Sequence, residues 1–188
     1  AAIAKAVNDF LVSDLLRQAD SRAQADAKVA PNPDLKVREA LDRAGEKVGT
    51  RFESQPLTEA AVRDAIGRTY HGVGDYAKAS VHHERALQLR KRLLGAEHPD
   101  TLTSMNNLAV AYRSQGKYVE AAALQAQTVE IQKRVLGAEH LNTLTSMNNL
   151  AGVYRLQGKY ADAAALHAQA LEIRKRVLGA EHRDTLAS

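Results

Sequence analysis

The chain has 188 residues, of which 45% are hydrophobic, and it contains no cysteine. Its length allows a buried core, but no apolar run reaches the roughly 18 residues that a membrane-spanning helix needs. The lack of cysteine excludes disulfides, zinc–thiolate sites and cysteine nucleophiles. The formal charge of +4 suggests an acidic partner. Because the short basic runs are expected at helix ends, where they complement the helix dipole, a solvated face is favoured over nucleic-acid binding.

Residues 1–56 are predicted to form an N-terminal helical cap. Helices are expected at about 3–22 and 35–52. The intervening sequence Ala30-Pro31-Asn32-Pro33 must interrupt the helix, because proline lacks an N–H group and disfavours helix in the preceding residue. We interpret the two helices as a degenerate leading copy of the repeat that follows. A flexible tail before residue 30 is the alternative.

Three copies of one repeat are predicted at residues 57–98, 99–140 and 141–182. Each copy ends in the pentad Leu-Gly-Ala-Glu-His, and the last residues of successive pentads are 42 positions apart. A fixed period of this length indicates an array in which one supersecondary unit stacks on the next, and such an array predicts a binding surface before any chemistry. We expect residues 183–188 to begin a further repeat that is truncated.

Each copy is predicted to fold as two antiparallel helices, helix A and helix B. In the second copy, apolar residues over 105–112 follow the spacing of one buried helical stripe, and Gly116 is expected to close helix A. Helix B is predicted from about residue 118 to residue 136. Asp100 and Thr101 are expected to provide the N-cap of helix A, because a side-chain oxygen can accept an unsatisfied backbone N–H.

The copies resemble tetratricopeptide (TPR) repeats. Residues 105–112 read Met-x2-Leu-Ala-x2-Tyr where the TPR pattern has Trp-x2-Leu-Gly-x2-Tyr, and His83, Gln125 and His167 replace its Phe. The longer period, the Met-Asn-Asn-Leu-Ala stretch and the Leu-Gly-x-x-His-Pro-Asp link are similar to the kinesin-light-chain type of TPR. The resemblance implies an all-α fold, a right-handed TPR superhelix (a solenoid of antiparallel helix pairs), and a role in protein–protein interaction.

The leading segment, at residues 6–16 and 33–38, resembles the region that precedes such repeats in large bacterial serine/threonine protein kinases. In those proteins the array follows the kinase and often a membrane span, which implies sensing or docking in bacterial signalling. No kinase motif occurs here, so neither kinase activity nor a cofactor is assigned to this chain. The localisation stays open. It would be cytoplasmic in a soluble parent protein and extracytoplasmic after a membrane span.

A peptide-binding surface is predicted on helix A. With 100° per residue, one stripe of each helix A lies beside the buried stripe, and in a TPR superhelix it would line the concave groove. Amides there can pair with a peptide backbone, and guanidinium groups can bind carboxylates. The kinesin-light-chain resemblance implies cargo contacts by the paired asparagines. The predicted peptide-binding residues are Asp64, Arg68, His71, Asn106, Asn107, Val110, Arg113, Asn148, Asn149, Gly152 and Arg155.

Structural roles are the alternative for the same residues. The asparagines would then bridge neighbouring helices through amide hydrogen bonds. Arg113 and Arg155 would be solvated charges, with Glu120 and Asp162 nearby along the chain as ion-pair partners. Gly152 would admit a close backbone or weaken its helix.

No catalytic or metal site is predicted. The chain has no Gly-x-Ser-x-Gly, Walker or His-Glu-x-x-His sequence. His98, His140 and His182 belong to different copies, so one repeat separates each from the next and they cannot share one ion. We expect them to make structural hydrogen bonds in the links between helices.

Three functions remain open, and they belong to different classes. The preferred one is a scaffold that docks a protein or an extended, acidic peptide in the groove. The second is a self-association module that uses the uncapped C-terminal end of the array. The third is a regulator in which ligand binding changes the pitch of the superhelix and thereby an output domain. Neither nucleic-acid binding nor membrane contact is expected.

Overall fold

The computed structural model describes residues 2–10, 37–179 and 181–182, and within them the chain contains helices and no strand. The all-α fold is therefore confirmed. The predicted proline break at residues 30–33 and the truncated repeat at 183–188 lie outside the described residues. The described helices are α1 (Ala2–Asp9), α2 (Val37–Arg51), α3 (Pro56–Gly72), α4 (Tyr76–Leu94), α5 (Pro99–Ser114), α6 (Tyr118–Val135), α7 (Leu141–Leu156) and α8 (Tyr160–Leu178).

Each predicted copy corresponds to two helices, and α3 begins one residue before the first copy. In the second copy α5 is helix A and α6 is helix B, and α6 ends one residue before the predicted position. Gly116 and Gly137 follow the two helices with φ angles of 78° and 96°, a left-handed conformation that glycine adopts without steric cost. The helix predictions are thus confirmed, whereas the repeat boundaries themselves stay a prediction.

The N-cap of helix A differs from the prediction. His98 is the N-cap of α5, and its Nδ1 atom accepts the backbone N–H of Asp100 at 3.1 Å. The expected capping by Asp100 and Thr101 is wrong, because Pro99 already occupies the first helical position and an extended N-cap must precede it. Thr101 is buried and donates its hydroxyl to the carbonyl of Gly95 at 2.8 Å.

The third copy repeats this cap, which leads to a test of its strength. His140 Nδ1 accepts the backbone N–H of Asn142 at 3.1 Å. We expect His140→Ala to lower the free energy of unfolding by about 0.5–2 kcal/mol, because one helical N–H loses its acceptor. His140→Asn should retain most of the stability, since asparagine is a good N-cap. Urea unfolding at neutral pH measures both, and equal stability of the alanine and asparagine variants would contradict a capping role.

Contacts divide the chain into two compact units, which we call unit 1 (Ala1–Leu93) and unit 2 (Leu94–Ser188). In unit 1 both α1 and α2 pack against α3. Leu41 and Val48 of α2 are fully buried, and the Phe10 and Phe52 rings meet edge-on with centroids 6.3 Å apart. Helix α2 confirms the helix predicted at 35–52. This packing supports the interpretation of residues 1–56 as a degenerate leading repeat, which stays a prediction.

In unit 2 the helices pack in chain order, α5 with α6, α6 with α7, and α7 with α8. Met147 and Leu144 of α7 are fully buried in a cluster with Ala121 and Val129 of α6. Helix B of one copy therefore packs directly on helix A of the next, as stacked repeats require. None of the described helices is long and apolar enough to cross a membrane.

Candidate protein-interaction surface

A side-chain hydrogen bond between helix A and helix B recurs at equivalent positions of all three copies. Its helix B partner is the residue that replaces the Phe of the TPR pattern, so a polar contact stands where an aromatic side chain would pack. The three bonds are His83 Nδ1 to Asp64 Oδ1 (2.9 Å), Gln125 Nε2 to Asn106 Oδ1 (2.9 Å), and His167 Nδ1 to Asn148 Oδ1 (3.2 Å).

In the first copy this contact is charged and buried. Asp64 is only 2% exposed, and its carboxylate accepts hydrogen bonds from both His83 and Arg90 of α4. Burial opposes ionisation, but the hydrogen bond from His83 and the charge of Arg90 outweigh it, so the pKa of Asp64 is lowered. Gly67 makes room for this cluster, since a Cβ atom there would lie 2.7 Å from the His83 ring. The carboxylate of Asp64, a predicted peptide-binding residue, is thus held by hydrogen bonds within unit 1.

In the second copy the contact is neutral and reaches the next repeat. Asn106 Oδ1 accepts from Gln125 Nε2 and also from Asn149 Nδ2, at 2.9 and 3.1 Å. The second bond joins α5 to α7. The bridging role considered for the asparagines is therefore present at Asn106 and Asn149. Asn107 and Asn148 are half-buried on the same helices.

The arginines on helix A are placed differently from these amides. Arg155 is exposed and Arg113 is half-buried. Within the described residues neither guanidinium makes a hydrogen bond or an ion pair, so the sequence neighbours Glu120 and Asp162 do not neutralise them.

Four further residues were predicted on this stripe of helix A. Arg68 is exposed, and Val110 is half-buried at the equivalent position of α5. Its counterpart in α7 is Gly152, where an added Cβ atom would meet no other atom within 4 Å. Gly152 therefore admits no close backbone and instead leaves open space on its helix. His71 packs its ring against Tyr76, with centroids 5.0 Å apart.

A cavity of about 310 Å³ opens in unit 2 between α5, the end of α6 and the start of α7. Leu102 and Leu136 form apolar walls, and Asn106 and Gln132 contribute polar groups. Gln132 is 7% exposed, and its buried Oε1 atom has no hydrogen-bond partner among the described residues.

Sequence reasoning did not single out Gln132, although the repeats contain a signal for it. The equivalent positions 90, 132 and 174 hold Arg, Gln and Arg, and positions 64, 106 and 148 hold Asp, Asn and Asn. Only the second copy has amides at both positions. The second copy therefore differs from the other two in having no charged residue at either of these equivalent positions, 106 and 132.

Unit 1 contains a second polar cluster, beside a cavity of about 520 Å³. Asp42 accepts hydrogen bonds from Tyr70 Oη at 2.6 Å and from Lys78 Nζ at 2.5 Å. His82 stacks on the Tyr70 ring with centroids 5.4 Å apart and is buried. Burial, aided by the charge of Arg63, lowers the pKa of His82 to about 4.

The histidines in the links have structural partners, as expected. His98 and His140 cap helices through Nδ1, which confirms the predicted structural hydrogen bonds for these two residues. Across residues 2–10, 37–179 and 181–182, no three metal-ligating side chains cluster around a common point.

Paired helices with a 42-residue period, packed B onto A, define an all-α helical-repeat protein. The sequence profile described as Tetratricopeptide repeat matches residues 58–134, 106–176 and 148–188, which together span more than half of the chain. The chain belongs to the tetratricopeptide repeat family.

Solved structures and one curated relative are also similar to the chain. Two crystal structures of the nearly identical TPR-like repeats of a candidate kinesin light chain from Podosopora anserina are 28% identical to it. They superpose with TM-scores of 0.72 and 0.69, covering 94% of this chain and 80% and 81% of those chains. BtubC (BKLC) from P. vanneervenii is 18% identical with a TM-score of 0.65, over 98% of this chain and 74% of that one, which shows the fold alone.

These neighbours confirm the resemblance to kinesin-light-chain-like TPR repeats. A nucleotide-binding leucine-rich repeat (NLR)-like protein of Hyaloscypha variabilis is 49% identical over 41 residues. That match spans 22% of this chain and only 4% of the fungal protein. The resemblance to kinase-associated arrays stays a prediction.

Proposed function

We propose that the repeats bind an extended peptide or a partner protein along helix A, as the docking or sensor region of a larger signalling protein. TPR proteins generally mediate protein–protein interactions, and a non-catalytic role is proposed for this chain. The proposed surface, which we call the A-row, consists of Asn106, Val110 and Arg113 on α5 with Asn148, Gly152 and Arg155 on α7.

The proposal rests on Arg113 and Arg155, which lie at equivalent positions of successive A helices and whose guanidinium groups have no partner among the residues that the structure describes. A desolvated guanidinium needs acceptors, and a carboxylate can satisfy it through two parallel hydrogen bonds. Asn106 lies about 10 Å from Arg113 along α5, since each helical residue rises about 1.5 Å. An extended acidic segment could therefore reach both. The net charge of +4 favours the same partner.

We expect Arg113→Ala with Arg155→Ala to weaken binding of peptides selected from a displayed random library at least tenfold, or by about 1.4 kcal/mol. The matched control is Arg134→Ala with Arg176→Ala, which removes the same charge at equivalent positions of helix B. Arg134 and Arg176 are exposed and pair with Glu97 and Glu139. Affinities measured by fluorescence anisotropy should fall for the A-row variant and change less than threefold for the control. Equal losses would show that net charge alone attracts the peptide.

Self-association is the alternative, and it is favoured by exposed apolar side chains in the last helix pair. Tyr160 is 69% exposed, and Val177 and Leu156 are also exposed. In this case a second copy would cover α8 in the way that α7 covers α6. A solution mass that does not change with protein concentration would contradict this alternative, whereas a dimer weakened by Tyr160→Lys would support it.

A further inference from the structure

The geometry points to a binding site for a side-chain carboxamide, from a glutamine or asparagine of the docked peptide, in the cavity between α5, α6 and α7. The inference rests on the proposed docking along the A-row, because Asn106 belongs to both surfaces. It adds a specific pocket and the chemistry of the residue that enters it.

Gln132 provides the first argument. Its side chain is more than nine-tenths buried and lines the cavity, yet its Oε1 atom has no hydrogen-bond partner within the described part of the chain. A buried polar group without a partner destabilises the protein, so a ligand that supplies the partner gains affinity. A ligand that both donates and accepts would satisfy the amide in either of its two orientations.

Asn106 provides the second argument. Its Oδ1 atom already accepts from Gln125 and Asn149, and these two bonds fix the orientation of the amide. Its Nδ2 group then has no acceptor among the residues that the structure describes. Asn106 can therefore donate to the oxygen of an entering carboxamide, while Gln132 Oε1 accepts from its nitrogen.

The residues that line the cavity disfavour charged and apolar side chains. No lysine or arginine is among the described residues that line it, so an entering carboxylate would be desolvated without a counter-charge. Glu97 is the one lining carboxylate in the described residues, and it is already paired with Arg134, which disfavours an ammonium group. An apolar side chain would fill the space beside Leu102 and Leu136 but leave the Gln132 amide unsatisfied.

The burial of Gln132 disfavours the peptide main chain as its ligand. Gln132 on helix B is 7% exposed, whereas His140 and Asn142, which line the same cavity at the start of α7, are exposed. A main chain docked along the A-row would pass the exposed residues at this opening. Only a side chain reaches the floor, and glutamine and asparagine are the uncharged side chains that end in both a donor pair and an acceptor.

The first copy suggests a control variant, because an ion pair occupies the equivalent positions there. There Asp64 and Arg90 occupy the positions of Asn106 and Gln132, and they satisfy each other directly. The double variant Asn106→Asp with Gln132→Arg transfers this solution to the second copy. The single variant Gln132→Leu keeps a similar volume but removes the polar group, so it should raise or maintain the thermal midpoint while it removes the ligand's partner.

The test selects random linear peptides on the full chain, on Gln132→Leu and on the double variant, each checked for folding by thermal unfolding. We expect peptides selected on the parent chain to contain glutamine or asparagine at one aligned position, and both variants to lose this preference. A synthetic peptide with that residue changed to Glu or to Leu should bind the parent chain at least tenfold more weakly. On the Gln132→Leu variant, the same change in the peptide should weaken binding less than threefold.

The outcomes separate this inference from the proposed function. If the parent chain selects peptides that depend on Arg113 and Arg155 but show no glutamine or asparagine preference, the carboxamide site is wrong and A-row docking stands. The same conclusion follows if Gln132→Leu selects the same peptides as the parent chain. If no peptide is selected at all, peptide docking fails and the carboxamide site fails with it.

Discussion

Replacing Asp64 by alanine is expected to destabilise unit 1 by about 3–5 kcal/mol, the largest effect of any single substitution proposed for this chain. The carboxylate is 2% exposed and holds both His83 and Arg90 across the α3–α4 contact. Its removal takes the charge of Asp64 away from the Arg90 guanidinium, which is itself mostly buried. Urea unfolding monitored by circular dichroism measures the loss.

The repeats offer a rescue that isolates this cause. Asp64→Asn together with Arg90→Gln gives the first copy the amide pair that the second copy has at Asn106 and Gln132. Because this variant buries no unpaired charge, we expect it to recover most of the stability that Asp64→Ala loses. If Asp64→Ala costs less than about 1 kcal/mol, or if the double variant is equally unstable, the ion pair does not hold α3 to α4.

Acidification from pH 7 to pH 4 is expected to lower the free energy of unfolding by about 3 kcal/mol through His82. The folded pKa of His82 is about 4, because burial disfavours its charged form and Arg63 adds repulsion. Unfolded histidine titrates near 6.5, so between the two values the unfolded chain binds the extra proton. Stability therefore rises with pH across this window and is lost as the pH falls through it.

His82→Gln should remove most of this pH dependence of stability. The contributions of the other titratable groups should remain. The groups facing His82 are Arg63, His83, Asp42 and Lys78, and all of them remain in the variant. Unfolding free energies at pH 7 and pH 4 measure the difference, and an equal slope in both proteins would show that His82 does not carry it. Below pH 4 a further loss is expected, because the pKa of Asp64 is also depressed and its stabilisation disappears as the carboxylate is protonated.

Helix positions could be predicted from this chain because the information is local. The 42-residue spacing, the glycines at 116 and 137 and the apolar stripe at 105–112 each depend on backbone geometry or on one helix face. The N-cap prediction was wrong for a local reason as well. Pro99 shifts the helix start forward, so His98 becomes the cap in place of the stronger capping types at 100 and 101.

The candidate site could be predicted only in part. Arg113 and Arg155 lie on the predicted stripe without partners within the described residues, but Asp64, on the same stripe, is buried in a charged cluster. Helical periodicity treats Asp64 and its equivalents Asn106 and Asn148 alike. The partner on helix B decides the outcome, because Arg90 of the first copy is replaced by Gln132 in the second. Gln132 could not be predicted from the sequence, because only the distances to its neighbours show that its Oε1 atom lacks a hydrogen-bond partner within the described residues.

By itself, the sequence determined that this protein is a TPR array of A and B helices. Turn residues and apolar stripes act within a few residues along the chain, and the 42-residue period repeats this local pattern. Only the tertiary structure decided which polar side chains form hydrogen bonds inside the fold and which remain available to a partner. Hydrogen bonds such as those from Gln125 and Asn149 to Asn106 join residues 19 and 43 positions apart. The packing distance between helices, rather than the local pattern, determines whether such bonds form.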